Sequence, residues 1–455
     1  MATRTTTPST YGEKVLKVEP YGVEPVAQAE RHGHARSQFT LWLGSNLTIA
    51  DYALGFLPIS LGLPWSWTIA AVLVGNLLGA LVLALCAAMG PSYGVPQLMI
   101  GKFSFGRVGG MLPALFNYVS TIGWFTVNNI LGTFGLRVLF PHLAFWEGSL
   151  LLVVIQGALA IYGHNLIHSY ERIMSVVLGV LFLVVTFIAL SHHAALLAYH
   201  PATKNIVPLF LVMVGAAFSY VGSWGPYASD YSRYLPVNTA KSRVRRYAFA
   251  GSFIASVWLE LVGAAVAILA GPHGGDAISS LHSVSGAFGT FSVIAIILGG
   301  TAADALNLYS NALSAGAIGI RLPRFVLAAV ASGVGFLLSV WGSGAFESNF
   351  TDFLLLIGYW MTPWVAILFV DFYVLRRWRA AEVDLRNRLS VYWPGLWSFL
   401  LGIAISLPFM SATKFEGPVA KAMGGTDLAF YVGFLVAGTV YFLWTRNRSV
   451  AVASS

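Results

Sequence analysis

Twelve stretches of this chain are apolar for long enough to cross the hydrocarbon core of a bilayer, about 30 Å or some 20 helical residues. They lie at 39–62, 66–89, 109–136, 146–163, 172–191, 206–229, 248–271, 287–318, 325–343, 350–375, 393–412 and 428–445. Lipid offers no partner to backbone N–H and C=O groups, so runs of this length fold as helices that satisfy themselves. Only 10% of the residues are charged and 57% are hydrophobic, with a mean hydropathy of +0.73. That balance excludes a soluble globular protein. The expected fold class is an all-α membrane protein of twelve transmembrane helices.

Charge sets the expected orientation. The chain has 26 Lys and Arg, and all but Arg137, Lys204, Lys414 and Lys421 fall in the two terminal segments or in the alternate loops on their side. Basic loops stay on the cytoplasmic face, so both termini of this multi-pass chain are expected inside, in the plasma (inner) membrane. The net charge of +8 then reflects topology and attraction to anionic lipid rather than nucleic-acid binding. Residues 1–38 are polar, carry both signs of charge and lack an apolar core beside a cleavage site, so no cleaved signal peptide is expected. The single cysteine, Cys86, lies within the second run, where it reads as a small core hydrophobe rather than part of a disulfide or thiolate cluster. The basic run Arg376-Arg377-Trp378-Arg379 through Arg388 precedes the eleventh helix. It suggests a cytoplasmic N-terminal segment (1–38), a ten-helix core (39–376), helices eleven and twelve (377–445) and a tail (446–455).

Two of the runs are interrupted. The first contains Gly44-Ser45-Asn46-Leu47-Thr48-Ile49-Ala50-Asp51-Tyr52, and the sixth contains Ser219-Tyr220-Val221-Gly222-Ser223-Trp224-Gly225-Pro226-Tyr227-Ala228-Ser229-Asp230-Tyr231. Breaks in the first and sixth of twelve runs suggest two five-helix halves of opposite orientation, an inverted repeat with two helices added. Backbone released from helical pairing in a membrane must meet protein, ligand or trapped water. Matching breaks therefore point to a midplane binding site of the kind secondary transporters use.

Polar residues at membrane depth are costly and face the interior. Asn46 and Thr48 sit in the first break, and Asp51 follows it. Trp124 and Asn128 are four apart in the third run and share a helix face, as do Asp304 and Asn307, three apart in the eighth. Tyr220, Ser223 and Trp224 surround the second break, with Asp230 beyond. An indole plane beside carboxamides suits a flat heterocycle, since Asn offers both a donor and an acceptor to a ring edge. Asn46-Leu47-Thr48 matches a glycosylation sequon but lies within a span. His164 and His168, four apart in the short loop expected after the fourth helix, have no third ligand nearby, so no metal site is expected. The chain has no HExxH, GxSxG or phosphate-loop motif, and no catalytic residues or cofactor are expected.

Several separate motifs together resemble the nucleobase:cation symporter-1 family, in its purine-cytosine permease branch. They are Val18-Glu19-Pro20-Tyr21-Gly22-Val23-Glu24-Pro25-Val26 with Glu30-Arg31, Gly90-Pro91 to Gly94 with Pro96-Gln97, Phe105-Gly106-Arg107, and Gly123-Trp124. Further along, Trp224 leads through Asp230-Tyr231-Ser232-Arg233-Tyr234-Leu235-Pro236, and Asn307-Leu308-Tyr309-Ser310 closes the series. The resemblance implies the leucine-transporter type of fold, with ten helices in two inverted repeats plus two more. It implies that Trp124 stacks on the base, that Asn128 and Asn307 bind its edge, and that Trp224 or Tyr220 supplies a second aromatic wall. Sodium-driven relatives carry adjacent hydroxyl residues in the eighth helix and use carbonyls of the first, matched here by Thr301, Gly44 and Leu47. The second hydroxyl position is Ala302, and a sodium ion wants several oxygens. Asp304 stands where fungal relatives have an amide, and it either carries a coupling proton or acts as a structural acceptor. The expected function is import of cytosine, a purine or a related planar heterocycle by proton rather than sodium symport. Allantoin, hydantoin, uracil or pyridoxine-like substrates are the alternatives, with a channel or intramembrane enzyme more remote. The partners expected are the small heterocycle and the lipid bilayer, and oligomeric state is left open.

Overall fold

A computed structural model describes residues 19–160, 164–271, 275–376 and 390–447. Most of the basic run from 377 onward, and the first 18 residues, lie outside the described residues. Each apolar run forms helix. In chain order these are α1 (Ser37–Asn46), α2 (Ile49–Leu54), α3 (Trp65–Ala87), α4 (Gln97–Phe105), α5 (Met111–Leu139), α6 (Phe145–Ala160), α7 (His164–Ser191) and α8 (Ile206–Gly222). There follow α9 (Ala228–Ser232), α10 (Lys241–Ala270), α11 (Ala277–Val284), α12 (Gly289–Ile318), α13 (Arg324–Gly342), α14 (Phe346–Phe369), α15 (Trp393–Ser406) and α16 (Ala429–Thr445). Among the described residues, six helical stretches are long and apolar enough on their own to cross a membrane.

Two expectations change. The chain is not purely helical, because Ser411–Ala412 and Phe415–Glu416 pair as an antiparallel hairpin between α15 and α16. The fifth helix begins at His164 rather than 172, so His168 and Glu171 are helical residues and not loop. His168 packs its ring against Tyr231.

Lipid-facing surface is evident on single helices. On α3, Leu73, Leu77 and Leu81 are exposed at four-residue spacing, and Val176, Val180, Leu183 and Phe187 repeat the stripe on α7. Water would not tolerate such stripes on a monomer, whereas acyl chains solvate them. The opposite faces pack through small residues that let backbones approach. A Cβ at Gly75 would lie 2.7 Å from that of Ala217, which seats α3 on α8. A Cβ at Gly55 would stand 2.1 Å from the carbonyl oxygen of Glu260, and one at Gly263 would stand 2.1 Å from that of Tyr52, so α2 and α10 touch backbone to backbone. Helix α12 packs along α5, while α3 contacts both α8 and α10.

The breaks fall where the small and polar residues predicted them. The first lies at Leu47–Thr48, where Thr48 turns extended (φ −125°, ψ 163°) and caps α2 by accepting from the Asp51 N–H at 3.3 Å. The second runs through Ser223 and Trp224 into a 3₁₀ turn at Gly225–Tyr227, where Pro226 lacks the N–H that a continuing helix needs.

One end of the molecule is closed by the N-terminal segment. Glu19 is buried and receives Arg233 at 2.8 Å and Arg324 at 3.1 Å. The hydroxyls of Tyr309, at 3.0 Å, and Tyr234 donate to the same carboxylate. Arg233 and Arg324 also hold the carbonyls of Gly22 and Tyr21. Arg31 donates to Pro91 O at 2.9 Å and fills the space beside Gly94, whose φ of +65° and proximity to the guanidinium both exclude a side chain. At the far ends of α12 and α13, a cavity of about 250 Å³ lies between Leu57, Phe134, Asp276, Ser343 and Phe350.

Candidate functional site

Trp124 projects from α5 into the space between the two breaks. Its neighbour Gly123 makes this possible, since a Cβ there would lie 2.2 Å from the Phe353 ring. The indole meets Tyr220 edge-to-face at 5.2 Å and 88°, Phe353 at 5.2 Å and Phe350 at 6.3 Å. Phe350 also lines the cavity described above, so Trp124 packs behind one of its walls.

One turn along α5, Asn128 donates to Asp304 Oδ1 at 3.1 Å, and Asn307 donates to the same oxygen at 3.3 Å. Tyr227 OH donates to Asn307 Oδ1 at 3.4 Å. A row of Asn128, Asp304, Asn307 and Tyr227 thus joins α5, α12 and the second break. Three buried atoms of this region have no hydrogen-bond partner: Trp124 Nε1, Asn128 Oδ1 and Asp304 Oδ2. Unmet polar atoms at membrane depth are costly. The set is one donor and two acceptors, a match for a ring that presents N–H groups on one edge and an acceptor nearby.

The two candidate aromatic walls occupy different places. Tyr220 faces Trp124, and its hydroxyl is 2.8 Å from Thr48 Oγ1 across the first break. Trp224 instead packs on Trp42 at 5.6 Å and Tyr227 at 5.2 Å, and its indole donates to Asn46 Oδ1 at 3.0 Å. Asn46 Nδ2 is in turn given to Trp42 O at 2.7 Å. Asn46 is therefore engaged at both ends and orients Trp224 instead of presenting a free carboxamide. Ser223 is likewise committed, donating to Tyr220 O at 2.7 Å. Asp230, beyond the break, accepts from the Gln97 N–H at 2.9 Å and anchors the start of α4.

At the residues marked for a cation, α12 approaches the first break closely. A Cβ at Gly299 would lie 2.8 Å from Leu47 O, with buried Thr301 two residues on. Thr301 Oγ1 donates to Ile297 O at 2.9 Å, and Gly44 O receives Leu47 N at 3.1 Å. Asp304, expected both at the substrate and as a coupling group, lies in the row with Asn128 and Asn307. Sequence reasoning missed Glu171, which is fully buried on α7 beside Gly44, where a Cβ would meet its Oε2 at 2.4 Å. Helical periodicity held the signal, because Glu171, Leu178, Phe182 and Val185 fall on one buried face. Tyr227 and Phe350 were missed for another reason: only the tertiary fold brings them to the site.

The sequence pattern of a family described as "Permease for cytosine/purines, uracil, thiamine, allantoin" matches residues 25–433. A Bacillus subtilis protein, YxlA, provisionally named a purine-cytosine permease, is 30% identical over 445 residues, covering 95% of this chain and 97% of its own. The purine-cytosine permease fcyB of Emericella nidulans is 25% identical, with 94% and 88% covered. Among solved structures, the transporter Mhp1 of the nucleobase-cation-symport-1 family, closed with bromovinylhydantoin bound, superposes with a TM-score of 0.79 at 18% identity, covering 96% of each chain.

Proposed function

The chain belongs to the nucleobase:cation symporter-1 family, in its purine-cytosine permease branch, and from that premise we propose that it imports an amino-bearing nucleobase, cytosine or a purine, by proton symport. The observation that carries the substrate class is the unmet trio of Trp124 Nε1, Asn128 Oδ1 and Asp304 Oδ2. A carboxylate oxygen beside a carboxamide oxygen can accept both hydrogens of an exocyclic amino group, with the base stacked on Trp124. The coarser conclusions, a multi-pass membrane transporter of leucine-transporter fold and not an enzyme, follow from family and fold.

The finer topology is part of the proposal. Twelve spans in a five-plus-five inverted repeat, with both termini cytoplasmic in the plasma membrane, would place the Glu19 network at the inner face. The cavity at Phe350 would then open outward, giving an outward-facing arrangement sealed beneath. Proton is favoured over sodium because Ala302 denies a second hydroxyl beside Thr301. Sodium held by Gly44, Leu47 and Thr301 remains the second reading, supported by the close approach of Leu47 O to Gly299.

Competition for uptake of labelled cytosine in vesicles tests the substrate class. Cytosine and adenine should compete strongly, and uracil, hydantoin and allantoin at least tenfold less well. Failure of every amino-bearing base to bind or enter sinks the reading. Asp304→Asn exchanges an acceptor for a mixed donor and acceptor, and a lost charge-assisted hydrogen bond is worth about 1.5–3 kcal/mol. Affinity for cytosine should therefore fall roughly 10- to 150-fold, with less effect on uracil. In the same vesicles, replacing sodium by choline at fixed pH should leave accumulation unchanged, while collapsing the pH gradient should abolish it.

A further inference from the structure

Away from the substrate row, two carboxyl groups meet inside the helix bundle. Asp51 on α2 and Glu260 on α10 act directly on each other, and both residues are fully buried. Ser256, one turn before Glu260, adjoins Asp51, and Asn76 of α3 adjoins Glu260. Neither contact completes a hydrogen bond of ordinary geometry. All four carboxylate oxygens, together with Ser256 Oγ and Asn76 Oδ1, are buried without a hydrogen-bond partner. Six unmet oxygens from three helices converge at one point, and the two from Ser256 and Asn76 belong to fully buried neutral side chains.

Two adjoining carboxyls whose four oxygens are all unmet call for something positive between them. Two bare carboxylates in a low-dielectric interior repel each other strongly, and among the described residues no basic side chain stands among the groups that act on either. The backbone contact of α2 with α10 at Gly55 and Gly263 leaves little room for an ion with its water. A proton needs no such room. Facing the pair from the surrounding elements are Asn76 from α3, Ser256 from α10 itself and Tyr220 from α8, a titratable group that both carboxyls act on. Among the described residues, none from α5, α11 or α12 is among the groups that act on either carboxyl.

We propose that Asp51 and Glu260 form a proton-binding pair that takes up and gives back one shared proton during the transport cycle. When the proton is bound, it bridges the two carboxyls as a hydroxyl donating to a carboxylate, and the pair carries a single negative charge. Its departure to water leaves two carboxylates, and its return restores the bridged pair with a single negative charge; no other reactant is needed. The pair communicates with the substrate site along a short path. Asp51 N donates to Thr48 Oγ1, which bonds the Tyr220 hydroxyl, and the Tyr220 ring meets Trp124. Asp304, held by two carboxamide donors, then serves the substrate, and the coupling proton has a separate seat. Only the direction of proton movement rests on the symport reading; the seat itself does not.

The test uses the purified full-length protein in lipid nanodiscs without substrate. Infrared difference spectra between about pH 5 and pH 8 should show a protonated-carboxyl band that comes and goes. Asp51→Asn and Glu260→Gln should each remove it, because a proton shared between two carboxyls needs both of them. Glu171→Gln should retain it. Ser256→Ala keeps both carboxyls and should move the band's midpoint without deleting it, so a folding defect in one variant does not decide the outcome. A full band in both single variants overturns the proposal. In proteoliposomes, Glu260→Gln should cut proton-driven accumulation at least tenfold while substrate exchange persists. Accumulation that follows a sodium gradient in the wild type and is lost in Glu260→Gln would assign the pair to sodium and overturn the proton. Absence of uptake of any base, with the band present and lost as expected, would sink the substrate reading alone.

Discussion

Replacement of Glu19 by alanine is expected to open the face that its carboxylate closes. The substitution strands Arg233, which is fully buried, and removes the acceptor shared by Arg324, Tyr309 and Tyr234. Breaking a buried ion pair by removing one partner costs about 3–5 kcal/mol, enough to invert a conformational equilibrium that ordinarily favours the closed face. The chain's one cysteine, Cys86, is buried, so alkylation of a Ser310→Cys reporter behind the network can be read in a Cys86→Ser background. Labelling should accelerate at least tenfold in Glu19→Ala, with substrate binding from the opposite face weakened in step. An unchanged labelling rate would remove the network from any part in gating.

The same network has a defined pH behaviour. Burial alone would push the Glu19 carboxyl up, but the Arg324 and Arg233 guanidiniums and the Tyr234 hydroxyl outweigh it and hold the group below the usual carboxylate range. A depressed carboxyl contributes stability above its ordinary titration range, which is lost as pH falls through the depressed value. The closure should therefore hold throughout neutral and mildly acidic pH and loosen only in strong acid. The Glu19 carboxyl is therefore no candidate for carrying a proton at physiological pH.

Truncation of the indole at position 124 is the second large effect. Stacking of a base on an aromatic side chain is worth about 1–3 kcal/mol by alanine substitution, so Trp124→Ala should weaken cytosine binding roughly 5- to 150-fold. Trp124→Phe keeps a plane but loses the unmet Nε1 donor, and it should recover part of that loss. Equilibrium binding to detergent-solubilised protein separates the two. Thermal melting must remain near wild type for the comparison to count, because Phe350, Phe353 and Tyr220 all rest on this ring. Binding of Trp124→Ala at wild-type strength would place the base elsewhere.

What the sequence reveals and what it hides divide along a physical line. Local spacing shows which residues share a helix face, so the pairing of Trp124 with Asn128 and of Asp304 with Asn307 is legible in the chain alone. Gly222, Gly225 and Pro226 mark the second break, and the polar Ser45, Asn46 and Thr48 mark the first. Spacing does not show which helix lies opposite. Asn46 has the chemistry of a ligand contact, yet its partner Trp224 lies on another helix, and the bond between them turns a candidate contact into a support. Asp51 and Glu260 are more than two hundred residues apart in the chain, and only the Gly55 and Gly263 contact sets them face to face. Glu171 is hidden by the helix start, because a carboxylate followed by arginine reads locally as loop.

The bond from Trp224 to Asn46 spans the two interruptions themselves. Unwound segments are the softest parts of a helical bundle, and two of them side by side would ordinarily flex independently. Here a single indole rivets one to the other, and Asn46 in turn grips Trp42. Helix α1 and the turn at Gly225–Tyr227 are thereby made into one lever. A force that displaces either break must tilt both.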